Sequence, residues 1–386
     1  MGECSRKRIS NIKTDKRIIN DFMLKEKILI LGSYGRGNAG DDAFLFSALK
    51  LFNNYSLVIN SANDDLLPKE IVDKVITIST DGAGDFFKKI ILFFQIRYVV
   101  YCGGDLFVEL HGEKFPRISL WKMLIVNIIC KIFNKKVFYL GVGAGDISGF
   151  SLFLARISAK LSDFIVTRDS HTIRLLKVKK MLELPDLAIN LFETNKTNKK
   201  NLKQTIYIGI SLLYFLPDPE INFPLVVEEF QSLFAFFDNK DVKFIIIPFF
   251  ISKHTKHDDL WVSKKLINNS KYKNVEVFNS NKLEDILTLL PQLSLMIGTR
   301  LHANILAVLS GIPTLGISYR PKVKSFFTQN KLDEFCINID EIEKLVPKIS
   351  MIIDSYPEIE ELFLSAQKDL ISQKVKYDSI VKKFFN

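Results

Sequence analysis

Arg300 and His302 stand one residue apart between two apolar runs, Leu295–Ile297 and Thr314–Ile317, and no other pair in the chain invites chemistry so directly. Each run has the bulk and length of a buried strand. Between them come a Gly298-Thr299 turn and then Leu301, Ile305, Val308 and Leu309 at helical spacing, with Gly311 and Pro313 as stop signals. With Thr299 as N-cap, Arg300 is the first helical residue and His302 the third. A helix N-terminus gathers unpaired N–H groups and partial positive charge, so a fork-shaped guanidinium beside it makes a site for phosphate or carboxylate. The imidazole adds a proton that moves near neutral pH. Two plainer readings fit the same residues: Arg300 paired with a surface carboxylate, and His302 as a packed, satisfied side chain.

The elements that would position this pair begin far upstream. A strand at Lys27–Leu31 runs into a glycine-rich turn ending in Asn38, Gly40, Asp41 and Asp42, followed by a helix with Leu45, Ala48, Leu49 and Phe52 on one face. Asn38 and Asp41 have the spacing of a helix cap and its partner at the third helical position. Gly35, Gly37 and Gly40 also satisfy the dinucleotide-binding spacing. Against that reading, the glycines begin three residues beyond the strand, and Asp41-Asp42 would set two carboxylates beside a pyrophosphate. Further strands are expected at Leu57–Asn60, Val75–Ile78, Tyr98–Cys102, Lys136–Leu140 and Phe164–Thr167. Three of them end in loops of similar character, carrying Gly103, Gly104 and Asp105, then Gly143 with Asp146, then Arg168-Asp169-Ser170. Ligands of open α/β sheets sit outside the carboxyl ends of strands, where such loops converge. Arg168 there is either a second anion contact or a surface ion pair beside a helix cap.

A polar stretch from Glu193 to Asn201 has the composition of a linker, and a second strand–helix series follows at Thr205–Ile210, Lys243–Ile247 and Val275–Phe278. The expected organisation is therefore a mobile basic extension (1–24), a Rossmann-like domain (25–192), a linker (193–203) and a second Rossmann-like domain (204–386). At 386 residues the chain is long enough for two doubly wound domains with separate cores. His254, His257, Asp258 and Asp259 cluster after one strand, but a loop and an acidic first helical turn explain the last two without a metal.

Composition narrows the partners. The net charge of +10 is spread along the chain and no nucleic-acid motif accompanies it. No apolar run approaches a membrane span and no apolar leader follows the basic start, so a cytoplasmic protein is expected. Cys4, Cys102, Cys130 and Cys336 are scattered, as befits reduced thiols. Two segments, Phe86–Phe94 and Lys114–Lys136, interleave aromatic and aliphatic residues with Lys and Arg. They read either as helices packed on a sheet or as contacts with an anionic membrane surface.

The chain resembles the polysaccharide pyruvyl transferase family. The likeness rests on GSYGRGNAGDDAFL from Gly32, YCGGDLF from Tyr101, GVGAGD from Gly141, VTRDS from Val166, and the long stretch from Gly298 to Phe326 that holds Arg300, His302, Arg320, Pro321 and Lys322. Two positions depart from the pattern: Cys102 stands where the family commonly has a glycine, and Arg320 where an acidic residue is usual. The resemblance implies a GT-B-like scaffold, two Rossmann-like domains facing across a cleft. It also implies transfer of the enolpyruvyl group of phosphoenolpyruvate to two hydroxyls of a sugar or lipid-linked oligosaccharide, giving a cyclic ketal and phosphate. Phosphoenolpyruvate is then a co-substrate and no cofactor is expected, the metal requirement being left open, and the protein is expected in the cytoplasm or peripherally at the inner face of the plasma membrane. On these residues Arg300 holds the donor, with Arg168, Lys322 and Arg320 behind it. His302 supplies the proton to the enol carbon, being cationic without extreme tuning. Asn38, Asp41, Asp42, Gly103, Gly104, Asp105 and Gly143 line the first-domain side, where the carboxylates act as bases or hold sugar hydroxyls. Two alternatives stand beside this: a GT-B glycosyltransferase using a nucleotide-sugar, and a non-catalytic membrane-surface component of polysaccharide assembly.

Overall fold

The computed structural model describes residues 27–64, 67, 75–79, 92–109, 117–145, 147–193, 205–214, 219–238, 240–252, 258–268 and 272–385. Residues 1–24, nearly all of the 193–203 linker, Phe86–Ile91, Asp146, His254 and His257 lie outside this set. The apolar runs form two wholly parallel sheets, as expected of strands buried on both faces. The first contains β1 (Lys27–Leu31), β2 (Ser56–Ser61), β3 (Ile76–Ser79), β4 (Ile96–Cys102), β6 (Lys136–Ala144), β7 (Phe164–Thr167) and β8 (Met181–Glu183), in the order β3-β2-β1-β4-β6-β7-β8, with the short β5 (Asp105–Phe107) paired to β6. The second contains β9 (Ile206–Ser211), β10 (Val242–Ile246), β11 (Val275–Val277), β12 (Leu295–Gly298), β13 (Thr314–Ser318) and β14 (Cys336–Asn338), in the order β11-β10-β9-β12-β13-β14. In each sheet the order reverses beside its first strand, between β1 and β4 and between β9 and β12. Such a switch point opens a crevice at the carboxyl ends of the strands.

Several local expectations change. The Gly141–Ala144 stretch is not a loop: it is the end of β6, which continues past a bulge at Gly141 (φ 65°) and pairs through Gly143 with Asp105 in a short additional ladder. Thr299 is not the N-cap of the helix after β12. Arg300 takes that position with extended backbone (φ −79°, ψ 127°), and helix α8 runs Leu301–Leu309. Thr299 instead turns inward, where its hydroxyl donates to the Ser211 carbonyl at 3.4 Å. Nor is α8 amphipathic. Ala303, Asn304, Leu306 and Ala307 are as buried as the apolar stripe, because the helix is enclosed by its own sheet, by the first domain and by the C-terminal helices.

The domains are firmly joined. After α1 (Ala39–Leu51), helices α2 (Ile118–Ile132) and α3 (Gly149–Leu161) cover one face of the first sheet over a core of their own, including Val99, Leu124, Tyr139 and Leu154. The other face shares one continuous core with the second domain. The last helix, α12 (Lys374–Phe384), leaves the second sheet altogether: Phe385 packs against Phe52, Tyr98 and Phe138 of the first.

Candidate functional site

Helix α1 begins with the cap that its sequence spells out. The Asn38 side chain accepts from Gly40 N at 3.0 Å and donates to Asp41 Oδ2 at 2.9 Å. The glycine turn ahead of it does not cradle a pyrophosphate, because the second domain occupies it. Ala39 N donates to the Phe249 carbonyl at 2.8 Å, and the Gly37 carbonyl accepts from Ile251 N at 3.0 Å and from the Asn281 amide at 2.8 Å. A side chain at Gly37 would place its Cβ 2.3 Å from the Ile251 carbonyl oxygen. These contacts bring the switch point of the first sheet against that of the second.

His302 enters from α8 and lies on the start of α1, its ring edge-to-face with Phe44 at 4.7 Å. Gly40 makes room for it: a Cβ there would stand 2.4 Å from His302 Nδ1. Arg300 is clamped by a buried carboxylate. Its Nε donates to Asp259 Oδ2 at 2.5 Å and its Nη2 to Asp259 Oδ1, and Asp259 also accepts from the backbone of Phe249 and Phe250. The bidentate pair fixes the plane of the guanidinium and leaves Nη1 as the edge without a carboxylate partner in that pair. The plainer expectation of a surface ion pair fails, since the Asp259 side chain is only 3 % exposed.

Arg168, at the end of β7, donates through Nη2 to Asp105 and lies 3.6 Å from Asp186 through Nη1. Lys322, at the start of α9 (Pro321–Gln329), reaches across the domain boundary to the second oxygen of Asp105 at 3.0 Å. Gly143 backs this group: a Cβ there would meet Asp105 Oδ1 at 2.9 Å and the Arg168 guanidinium at 3.1 Å. Asp186 caps a short turn through Oδ1, which accepts from Ala188 N, while its Oδ2 and His302 Nε2 lie 3.8 Å apart and neither has a hydrogen-bond partner.

The charges are strongly tuned. Burial pushes the Asp41 carboxyl up to about 6 against the pull of Asn38 and nearby cations, and burial with the charges of Asp41 and Glu284 takes Asp42 to about 7. Burial opposes ionisation of Asp105 too, but the Arg168 and Lys322 charges outweigh it and hold the carboxyl well below the carboxylate range. Asp105 is therefore a fixed anion and no base near neutrality. His302 is driven down to about 3 by burial and by the Arg168 and Lys322 charges. This corrects the expectation of an imidazole that is cationic without extreme tuning: in the empty site it is neutral.

Two adjoining cavities result. The smaller, about 140 Å³, is lined by Arg168, Arg300, His302 and Lys322 from the cationic side, and by Asn38, Asp41, Gly104 and Asp105 among others. The larger, about 760 Å³, shares Asp105, Arg168, Leu301 and Lys322 with it and extends past Glu109, Asp169, Glu183 and Gln329. Three expected residues stand elsewhere. Arg320 lines the larger cavity, its guanidinium 5.7 Å from the Tyr319 ring, and is no part of the cation group. Asp42 turns toward the domain interface near Glu284 and reaches neither cavity. Gly103, at φ 68°, lies against Phe44 behind the pocket. Cys102 is buried behind it, and the carbonyl of Cys102 accepts from the Tyr34 hydroxyl at 3.2 Å. The sequence reading did not find Asp186 or the role of Asp259. Both look like helix caps locally, and their partners lie far away in the chain. Among the described residues, no cluster of three or more His, Cys, Asp or Glu side chains is arranged to hold a metal ion.

A sequence model of the polysaccharide pyruvyl transferase family matches residues 38–321, which include every residue lining the smaller cavity except Lys322. The chain belongs to that family. No curated protein matches it in sequence. Among solved structures, this pyruvyl transferase family member is similar to Anabaena Alr3699/HepE in complex with UDP and glucose, with TM-score 0.62, 12 % identity, and 94 % of this chain and 99 % of that one covered. It is also similar to a glycosyltransferase from Rickettsia africae, with TM-score 0.59, 14 % identity and coverage of 93 % and 99 %. A third likeness is to UDP-GlcNAc 2-epimerase from Neisseria meningitidis bound to UDP-GlcNAc, with TM-score 0.55, 11 % identity and coverage of 91 % and 99 %. At these identities the likeness is one of fold, and the fold is GT-B: two Rossmann-like domains with the pyruvyl transferase family's motifs at their facing crevices.

Proposed function

We propose that this chain transfers the enolpyruvyl group of phosphoenolpyruvate to two hydroxyls of a saccharide, forming a pyruvate ketal and releasing phosphate. The observation that carries the reading is the smaller cavity: Arg168, Arg300 and Lys322 converge with His302 on about 140 Å³. That volume is well below the roughly 300 Å³ at which pockets for drug-sized ligands begin. It suits a compact ligand bearing both a phosphate and a carboxylate. The adjoining cavity of about 760 Å³, with its carboxylates and amides, has the size and polarity for the acceptor.

The chemistry follows from the charges. Burial, with the Arg168 and Lys322 charges, keeps His302 neutral; a bound phosphate offsets the two charges and favours uptake of a proton by the imidazole as the donor arrives. Protonation of the enol methylene by His302 makes a methyl group and an oxocarbenium-like centre at the adjacent carbon, which an acceptor hydroxyl attacks. Asp41, with its pKa near 6, takes the hydroxyl proton. Loss of phosphate regenerates the cationic centre and the second hydroxyl closes the ketal, its proton leaving with the phosphate. Asp259 and Asp105 position the cations, and Asp186 Oδ2 lies where it supports an imidazolium at His302. A nucleotide-sugar donor is the competing reading, favoured by the volume of the larger cavity and by a fold also seen in structures solved with UDP.

Thermal unfolding separates the two. Phosphoenolpyruvate at saturation raises the melting temperature by a few degrees through linkage, and the shift disappears in Arg300→Ala and Lys322→Ala, whereas UDP-glucose gives none. A shift with UDP-glucose and none with phosphoenolpyruvate overturns the proposal.

A further inference from the structure

Helix α2 is apolar on both sides. Leu120, Met123, Leu124 and Cys130 face the sheet, as a covering helix requires. Ile118, Trp121, Ile125, Ile128 and Ile132 recur at helical spacing on the other side and are exposed, Ile125 by 51 % and Ile132 by 72 %. Helix α3 extends the stripe with Phe150 and Phe153, which stack on each other, and Phe150 meets Trp121 at 6.0 Å. Covering a sheet explains only the inner face. A contiguous exposed run of large aliphatic and aromatic residues marks an interaction surface.

Its charge identifies the occupant. Between Arg117 and Lys160 the sequence has seven Lys and Arg against the single Asp146, and neither α2 nor α3 contains an Asp or Glu. Lys122 is exposed beside the stripe, and so are Lys131 and Lys136, which share the single carboxylate of Asp163 at 3.5 Å. Against a second copy of the chain such a rim would meet its own like charge; against an anionic bilayer it is attracted while Trp and Ile enter the interface. No helix among the described residues is long and apolar enough to cross a membrane, so the contact is one of lying on the surface. We infer that the α2–α3 face docks on an anionic lipid membrane.

The orientation has a consequence for the site. Arg117, at the head of α2, pairs with Glu109 at 3.1 Å, and Ser151 of α3 donates to the same carboxylate at 2.9 Å. Glu109 is part of the wall of the larger cavity. A saccharide anchored in that membrane would meet the cavity there. This consequence rests on the function proposed above; the docking does not.

The test uses the full chain with large vesicles of phosphatidylcholine, alone or with one third phosphatidylglycerol. The protein is expected to co-sediment with the anionic vesicles only, with salt weakening the binding. In a Trp261→Phe background, Trp121 fluorescence should shift to the blue and be quenched by brominated lipid. The double variant Ile125→Glu/Ile128→Glu, at exposed positions, should keep its fold by circular dichroism and lose about tenfold or more in vesicle affinity. No binding to anionic vesicles overturns the inference, as does binding that the double variant leaves unchanged. Self-association that the double variant abolishes, without vesicle binding, also overturns it in favour of a second copy.

Discussion

His302 owes its state to its surroundings more than to its type. Buried between Phe44 and Gly40 and facing two cations, its imidazole is held in the neutral form, and an incoming anion would oppose the two cations. Asp42 illustrates the opposite tuning away from the site. Its carboxyl is favoured in the protonated form, with a folded value of about 7 against an ordinary 3.8. The folded state therefore binds a proton that the unfolded state releases between these values, so stability from this group is present at low pH and lost as pH rises toward 7. Asp42→Asn removes that loss. It should leave unfolding free energy nearly unchanged at pH 4 and raise it at pH 8 by up to about 4 kcal/mol, at about 1.36 kcal/mol per pH unit. Denaturant titrations of both proteins at the two pH values check this, and an equal effect at both would contradict it. At this scale the sequence was legible where the signal is local: the Asn38–Asp41 cap and the closely spaced Arg300 and His302. It was silent on Asp186 and gave Asp259 only a place in a helix's first turn, while the significance of both comes from partners 116 and 41 positions away. It set Arg320 with Lys322 behind Arg300, whereas Arg320 lines the larger cavity alone and Lys322 lines both.

Strands and helices were read well wherever an apolar run was long enough to be buried on both faces, as at β1 and β7, whose observed limits are those expected. Of the three-residue strands, β11 was expected from Val275–Phe278, whereas β5, β8 and β14 escaped, since so short a segment shows no period. The glycines of β6 suggested a loop where the strand instead continues past a bulge at Gly141 and pairs with β5 at Gly143. Nor did the sequence show that its final helix belongs spatially to the first domain. Phe385 is 2 % exposed among Phe52, Tyr98 and Phe138, and its carbonyl accepts from the Tyr55 hydroxyl at 2.6 Å. Phe385→Ala should cost about 3–5 kcal/mol, as for other large-to-small changes in a packed core. Urea unfolding reads it, and a loss below about 1 kcal/mol would mean that the C-terminus is not a fastening between the domains.

In the whole molecule, two doubly wound sheets face each other with their switch points in contact. The first supplies Asn38, Asp41, Asp105 and Arg168; the second supplies Arg300, His302 and Lys322. The alternation of strands and helices foretold the two sheets but not how closely they meet, because that depends on Gly37 and Gly40 admitting the other domain's backbone and imidazole. The same closeness explains why a glycine turn with dinucleotide spacing binds its own chain. It also leaves a small cationic pocket beside a large polar cavity, a division suited to a small anionic donor and a larger saccharide. The most direct measurement is calorimetric titration with phosphoenolpyruvate at pH 7 in two buffers of different ionisation enthalpy. Saturable binding with uptake of a proton, the uptake lost in His302→Gln and the binding lost in Arg300→Ala, is the expected result. Phosphoenolpyruvate binding without proton uptake would contradict the role given to His302, and no phosphoenolpyruvate binding alongside saturable binding of UDP-glucose would contradict pyruvyl transfer itself.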